Sequence, residues 1–96
     1  MKSLGFVEVS GVVAAIDALD LMLKTAGVRF VTWERKFGGR LVTVIVEGDV
    51  SAVQAAVDAA MTESYSKPVA HAVIASPHEE VQRLVKISAA RPQNTV

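Results

Sequence analysis

Five residues near the start of the chain, Val7, Val9, Gly11, Ala15 and Ala18, return 37 positions later as Val44, Val46, Gly48, Ala52 and Ala55. In each copy alternating valines give way to a glycine and then to alanines, the order expected of a strand, a turn and a helix start. The echo points to duplication of a βαβ unit, which ties both helices to one sheet.

The remaining segments fit around that frame. Leu4 to Val9 reads as a strand, with Glu8 near its end, and Ser10 is suited to cap the next helix, although Val13 stands where a capping box would place Glu. Val12, Ile16, Leu19 and Leu23 recur at helical spacing, and Ala15, Met22 and Ala26 widen the stripe. Asp17, Asp20 and Lys24 mark the opposite face, Asp20 and Lys24 at the i,i+4 spacing that favours an ion pair. Gly27 is placed to end this helix as a C′ residue. Val28 to Phe37 and Leu41 to Glu47 are strand-like, and Gly38-Gly39 between them can take the positive φ angles of a tight antiparallel turn. Asp49 is the expected N-cap of a helix from Val50 to about Ser64, with Val50, Val53, Val57 and Ala60 or Met61 inward. Lys67-Pro68 interrupts, Val69 to Ile74 is a fourth strand, and Ser76-Pro77-His78-Glu79 supplies Ser at N-cap, Pro at N1 and Glu at N3 of a last helix. Val81, Leu84 and Val85 form that helix's apolar side. The domain is expected over residues 1–88, with 89–96 as a flexible tail. The element order predicts an α+β fold: a ferredoxin-like βαββαβ sandwich with an additional short C-terminal helix.

Composition narrows the chemistry. The chain has 96 residues, 51% of them hydrophobic, with a mean hydropathy of +0.37. That apolar excess in so small a domain is read as subunit interface, against the alternative of a well-filled monomer core. Ten basic and ten acidic residues cancel, so no global field draws nucleic acid or anionic lipid, and neither is an expected partner. Without cysteine, disulfides, thiolate catalysis and Cys-based metal sites are excluded. The start runs straight into a strand rather than a leader's apolar region, and no apolar run reaches bilayer length. His71, on a strand, and His78, at a helix start, lack an acidic ligand between them and are read as structural. Asp17 and Asp20 share a helical face but are balanced by Lys24, and Glu79 and Glu80 suit a helix N-terminus. Trp33 is read as packed against a helix or a neighbouring subunit. No acid–base or nucleophile set emerges; no enzyme, metal or cofactor is expected.

Arg35-Lys36-Phe37-Gly38-Gly39-Arg40 carries more charge than its turn requires. Backbone N–H groups of the two glycines, with Arg35, Lys36 and Arg40, could meet an anion. A P-loop is excluded, since the Gly-x-x-x-x-Gly-Lys spacing and the following helix are both missing. A solvated hairpin with locally paired charges remains the plain alternative. The same hairpin also allows an oligomeric ferredoxin-like regulatory module that binds an anionic effector there.

Read together, Leu4-Gly5-Phe6-Val7-Glu8, Asp20-Leu21-Met22-Leu23-Lys24-Thr25-Ala26, Lys36-Phe37-Gly38-Gly39, Val42 to Val50 and Pro77-His78 resemble the single-domain, hexamer-forming shell proteins of bacterial microcompartments. The resemblance implies a non-enzymatic, cofactor-free tile in the shell of a compartment within the cytoplasm. As a homohexamer it would adjoin neighbouring hexamers, other shell proteins and encapsulated enzymes. It places Lys36, Phe37, Gly38, Gly39 and Arg40 around a central pore for small polar or anionic metabolites, with Gly39 at the narrowest point. Arg40 stands where the family commonly has glycine, and Arg35 reads as a one-residue insertion before the loop. Lys24 matches the lysine that joins hexamer edges. Gly27 and Ser76 depart from the asparagine and arginine frequent there, and His78 completes the edge set.

Overall fold

A computed structural model describes residues 1–35 and 39–92. The elements follow the expected order: β1 (Ser3–Ser10), α1 (Val12–Thr25), β2 (Arg29–Arg35), β3 (Leu41–Gly48), α2 (Val50–Glu63), β4 (Ala70–Ala75) and α3 (Glu79–Ala90). One antiparallel sheet has the order β2-β3-β1-β4, which is the ferredoxin-like arrangement. Val7 pairs with its own echo, Val44, at the middle of the sheet, flanked by Trp33 on β2 and His71 on β4. The pairing of each strand with its own echo at the centre of the sheet fits a duplicated unit.

The alternation of side chains sorts the strands onto two faces. Val7, Val9, Val42, Val44 and Val46 meet Ala14, Ala15, Ala18 and Met22 of α1 and Val53, Ala56, Val57 and Ala60 of α2 in the main core. Alanine dominates the helix side, so both helices lie close to the sheet. At Gly5 a Cβ would stand 2.8 Å from Val53 Cγ1 and 3.0 Å from Val57 Cγ2, leaving room for hydrogen alone. The opposite face carries α3, which covers Leu4 and Ile45 with Val85, supported by Phe6, Val31 and Val81.

The helix starts differ from expectation at two places. Ser10 does not cap α1: it is the last residue of β1, paired with Leu41, so the chain turns one residue later at Gly11, whose φ of 106° is open to glycine. Ser76 does not cap α3. It takes a left-handed φ of 49° and donates its N–H to the Lys2 carbonyl at 3.0 Å, which closes the end of the sheet and delays the helix. His78 takes the cap, its Nδ1 accepting from the Glu80 N–H at 3.0 Å, and Glu79 and Glu80 fill the first turn. Asp49 is the N-cap of α2 as expected, but its carboxylate pairs with Lys2 at 3.1 Å instead of closing the helix end. Gly27 follows α1 as a C′ residue without the left-handed turn; its carbonyl lies against Gly48, where a Cβ would approach it to 3.1 Å.

Burial on α1 is also displaced. Val12 and Leu19 are half-buried and Met22 is buried, but Ile16 and Leu23 face solvent beside Val13. Val50 of α2 and Leu84 of α3, both expected inward, are exposed as well, and α3 runs to Ala90, past the point where its sequence period ends.

Candidate functional site

Strand register divides the expected site residues between opposite ends of the sheet. At one end β2 leads into the basic loop and β3 leaves it. Lys36, Phe37 and Gly38 lie outside the described residues; Gly39 and Arg40 are exposed. The loop's exit is tied down by the Gly11 N–H, which donates to the Arg40 carbonyl at 2.6 Å. Arg35 lies over the Trp33 ring at 5.9 Å from its centroid, and Trp33 is half-buried against the main core. On the α3 face of this same end, Glu34, Thr43 and Glu8 form one row across β2, β3 and β1. With Arg35 and Leu41 they line a recess of about 250 Å³.

Sequence reasoning missed what holds that row. The Ser88 hydroxyl and the Arg91 guanidinium, both from the end of α3, donate to the same carboxylate oxygen of Glu34. Ser88 also lies 3.3 Å from the Thr32 hydroxyl, and both residues are buried. Thr43 donates to Glu8 at 3.4 Å. Nothing local in the sequence signals these contacts: those of Ser88 and Arg91 join residues more than fifty positions apart, and Thr43 and Glu8 are 35 apart.

The other end of the sheet holds Lys24, Gly27, Ser76 and His78. Gly27 abuts Gly48, Gly48 pairs with Ser3, Ser3 pairs with Ala75, and Ser76 bonds Lys2, so the four edge candidates cluster away from the loop. Lys24 bonds Asp20 at 2.8 Å within α1. The hydrogen bond that Lys24 donates to Asp20, and then the charge of Asp20, raise the Lys24 pKa above the ordinary 10.5, so the ammonium persists well above neutral pH. Asp17 accepts from the Tyr65 N–H at 3.2 Å, so the two aspartates of that helical face are engaged by different partners. His71 is exposed on the edge strand β4. Among the described residues no cluster of His, Asp or Glu has the shape of a metal site, and no helix is long and apolar enough to cross a membrane.

The chain is thus a ferredoxin-like sandwich with a third helix on the far sheet face, a basic loop at one end and Lys24 toward the other. Residues 3–77 match the model of the BMC domain. The chain is 46% identical over 86 residues to the bacterial microcompartment shell protein PduA of Citrobacter freundii, an alignment spanning 88% of this chain and 91% of the relative. It is 40% identical over 89 residues to the carboxysome shell protein CcmK2 of Synechococcus elongatus, covering 88% of this chain and 86% of that one. Its fold superposes with a TM-score of 0.76 and 32% identity on the crystal structure of a microcompartments protein from Desulfitobacterium hafniense DCB. All of this chain is covered there, and it spans about half, 52%, of that longer chain. The chain therefore belongs to the BMC-domain family of bacterial microcompartment shell proteins. It is a structural protein of the shell, inside the bacterial cytoplasm, and not an enzyme.

Proposed function

We propose that this chain closes into a cyclic homohexamer that tiles a microcompartment facet, with the β2–β3 loop around the six-fold axis. Lys36, Phe37, Gly38, Gly39 and Arg40 then line a pore for small polar or anionic metabolites. Lys24, Gly27, Ser76 and His78 lie at the hexamer edges, against neighbouring hexamers and other shell proteins, and encapsulated enzymes lie on the luminal side.

The observation that carries this reading is the division of the sheet: loop at one end, edge candidates at the other, and bare apolar side chains between. Val13 is 72% exposed and Ile16 51% on α1, Val69 60% on β4's approach, and Leu84 62% on α3. These side chains are the ones a neighbouring subunit would cover. A ring gives each subunit two different covered surfaces, because its contacts are head-to-tail. Basic residues repeated around a narrow axis focus the field on small anions.

Negative-stain microscopy of the assembled protein tests the tile. Sheets or tubes built from rings are expected, and Lys24→Ala should keep the ring while losing the sheets. A discrete smaller oligomer that saturates with an anionic effector would contradict the reading and favour a regulatory module.

A further inference from the structure

We propose that the recess between the C-terminal half of α3 and the start of β2 binds a small organic monocarboxylate, held by Arg29 and Lys86 and seated against Phe30 and Val31. The site shares no residue with the basic loop or with the edge set, so it goes beyond the tile reading.

Arg29, Glu47 and Leu4 form one row across β2, β3 and β1, on the sheet face that α3 covers. Over Leu4 the helix packs closely through Val85. Beside Arg29 it leaves a recess of about 470 Å³, with Lys86 and Ala89 on the helix side and Arg29, Phe30, Val31 and Glu47 on the sheet side; Met1 completes the lining. The strand departs from a regular pleat here. Register shifts between Phe30 and Thr32, so Val31 is the extra residue of a bulge, and the successive residues Phe30 and Val31 both line the recess. A recess of this size, with apolar walls and a few polar groups, is the ordinary form of a small-molecule site.

The polar groups differ sharply in burial. Glu47 is 9% exposed and accepts a hydrogen bond from Arg29, whose side chain is 81% exposed. That bond anchors the guanidinium at the recess and occupies one of its five N–H donors. Lys86 is exposed and makes no ion pair among the described residues. The Met1 nitrogen is turned to Gln82 Oε1 at 3.2 Å. Two cations beside an apolar wall suit a carboxylate head with a short alkyl tail. The buried charge of Glu47 repels a second negative charge, which makes a dianion the poorer guest.

The test is ligand-observed NMR of the assembled protein with sodium butyrate, at low ionic strength where the charges are least screened. Butyrate signals should broaden saturably, and butyramide, the same shape without the charge, should bind about tenfold more weakly. Lys86→Gln should weaken butyrate binding about three- to tenfold, by loss of one charge-assisted hydrogen bond. Ala89→Phe, at an exposed helix position, should abolish binding by filling the recess, with circular dichroism unchanged. Arg29→Gln alone would orphan a buried carboxylate. Paired with Glu47→Gln, it should weaken binding at least as much as Lys86→Gln. Butyrate that fails to saturate, or that binds no better than butyramide, would overturn the inference. Saturable butyrate binding unmoved by both Lys86→Gln and Ala89→Phe would overturn it too, by placing the anion elsewhere on the chain.

Discussion

A Cβ at Gly5 would meet Val53 Cγ1 at 2.8 Å, Val57 Cγ2 at 3.0 Å and Val46 Cγ2 at 3.2 Å, all side chains of a filled core. Gly5→Ala should therefore destabilise the subunit by about 1–3 kcal/mol through overpacking, measured by chemical denaturation. Gly11 is constrained differently. Space around it is open, but its φ of 106° with ψ of 155° lies where side chains are rarely tolerated. Gly11→Ala should also cost about 1–3 kcal/mol, this time as backbone strain, and it should loosen the loop exit that the Gly11 N–H holds at Arg40. Faster exchange of the amide at position 11, the donor of that bond, would register the loosening. Neither glycine's role could be read from the sequence, where Gly5 is an interruption in a strand and Gly11 one member of a repeat. The first depends on the alanine-lined helix lying close, the second on β1 pairing through Ser10.

At the scale of elements the valine–glycine–alanine echo shows both how far sequence reasoning reaches and where it slips. In the strands the offset of 37 holds, because Val7 and Val44 are central partners. In the helices the burial pattern repeats at 38 instead: Ala15, Ala18 and Met22 correspond to Val53, Ala56 and Ala60. Asp49 is the extra residue. It caps α2 after Gly48 has finished β3, whereas Gly11 serves alone before α1. The echoed Ala52 and Ala55 therefore sit one position off the buried face. Strand boundaries were legible because β-branched runs and punctuating glycines agree. Asp49 was legible as a cap, but the caps of α1 and α3 were not, since Ser10 and Ser76 are committed to long-range backbone pairing that no local pattern reveals. The stripe on α1 was half legible: periodicity finds apolar residues but does not say whether the sheet or a second subunit covers them. Ile16 faces out, and fully covering such a side chain is worth about 1.5–3 kcal/mol. Ile16→Asp should leave the subunit's circular dichroism unchanged and shift its native mass toward smaller species.

For the whole molecule, the β2–β3 connection proposed to line a pore and the residues proposed for the hexamer edge belong to opposite ends of one sheet, so they can be perturbed independently. Lys24 illustrates the edge. Its pKa is raised by Asp20, so whatever its ammonium contributes is fully present below its ordinary value of 10.5 and is lost only as pH rises through the raised one. Sheets should therefore persist from about pH 7 to 9 in electron micrographs, and disassemble, if Lys24 governs them, only at higher pH. Lys36 to Gly38 were legible through the resemblance alone; the Glu34 contact of Arg91 was not, because Arg91 lies past the last periodic residue of α3. Light scattering of the purified protein tests the central claim most directly. A smallest species of roughly 61 kDa, six times the 10.2 kDa chain, with larger sheet material above it, is the expected result. A monodisperse monomer, dimer or trimer at every concentration would contradict the tile.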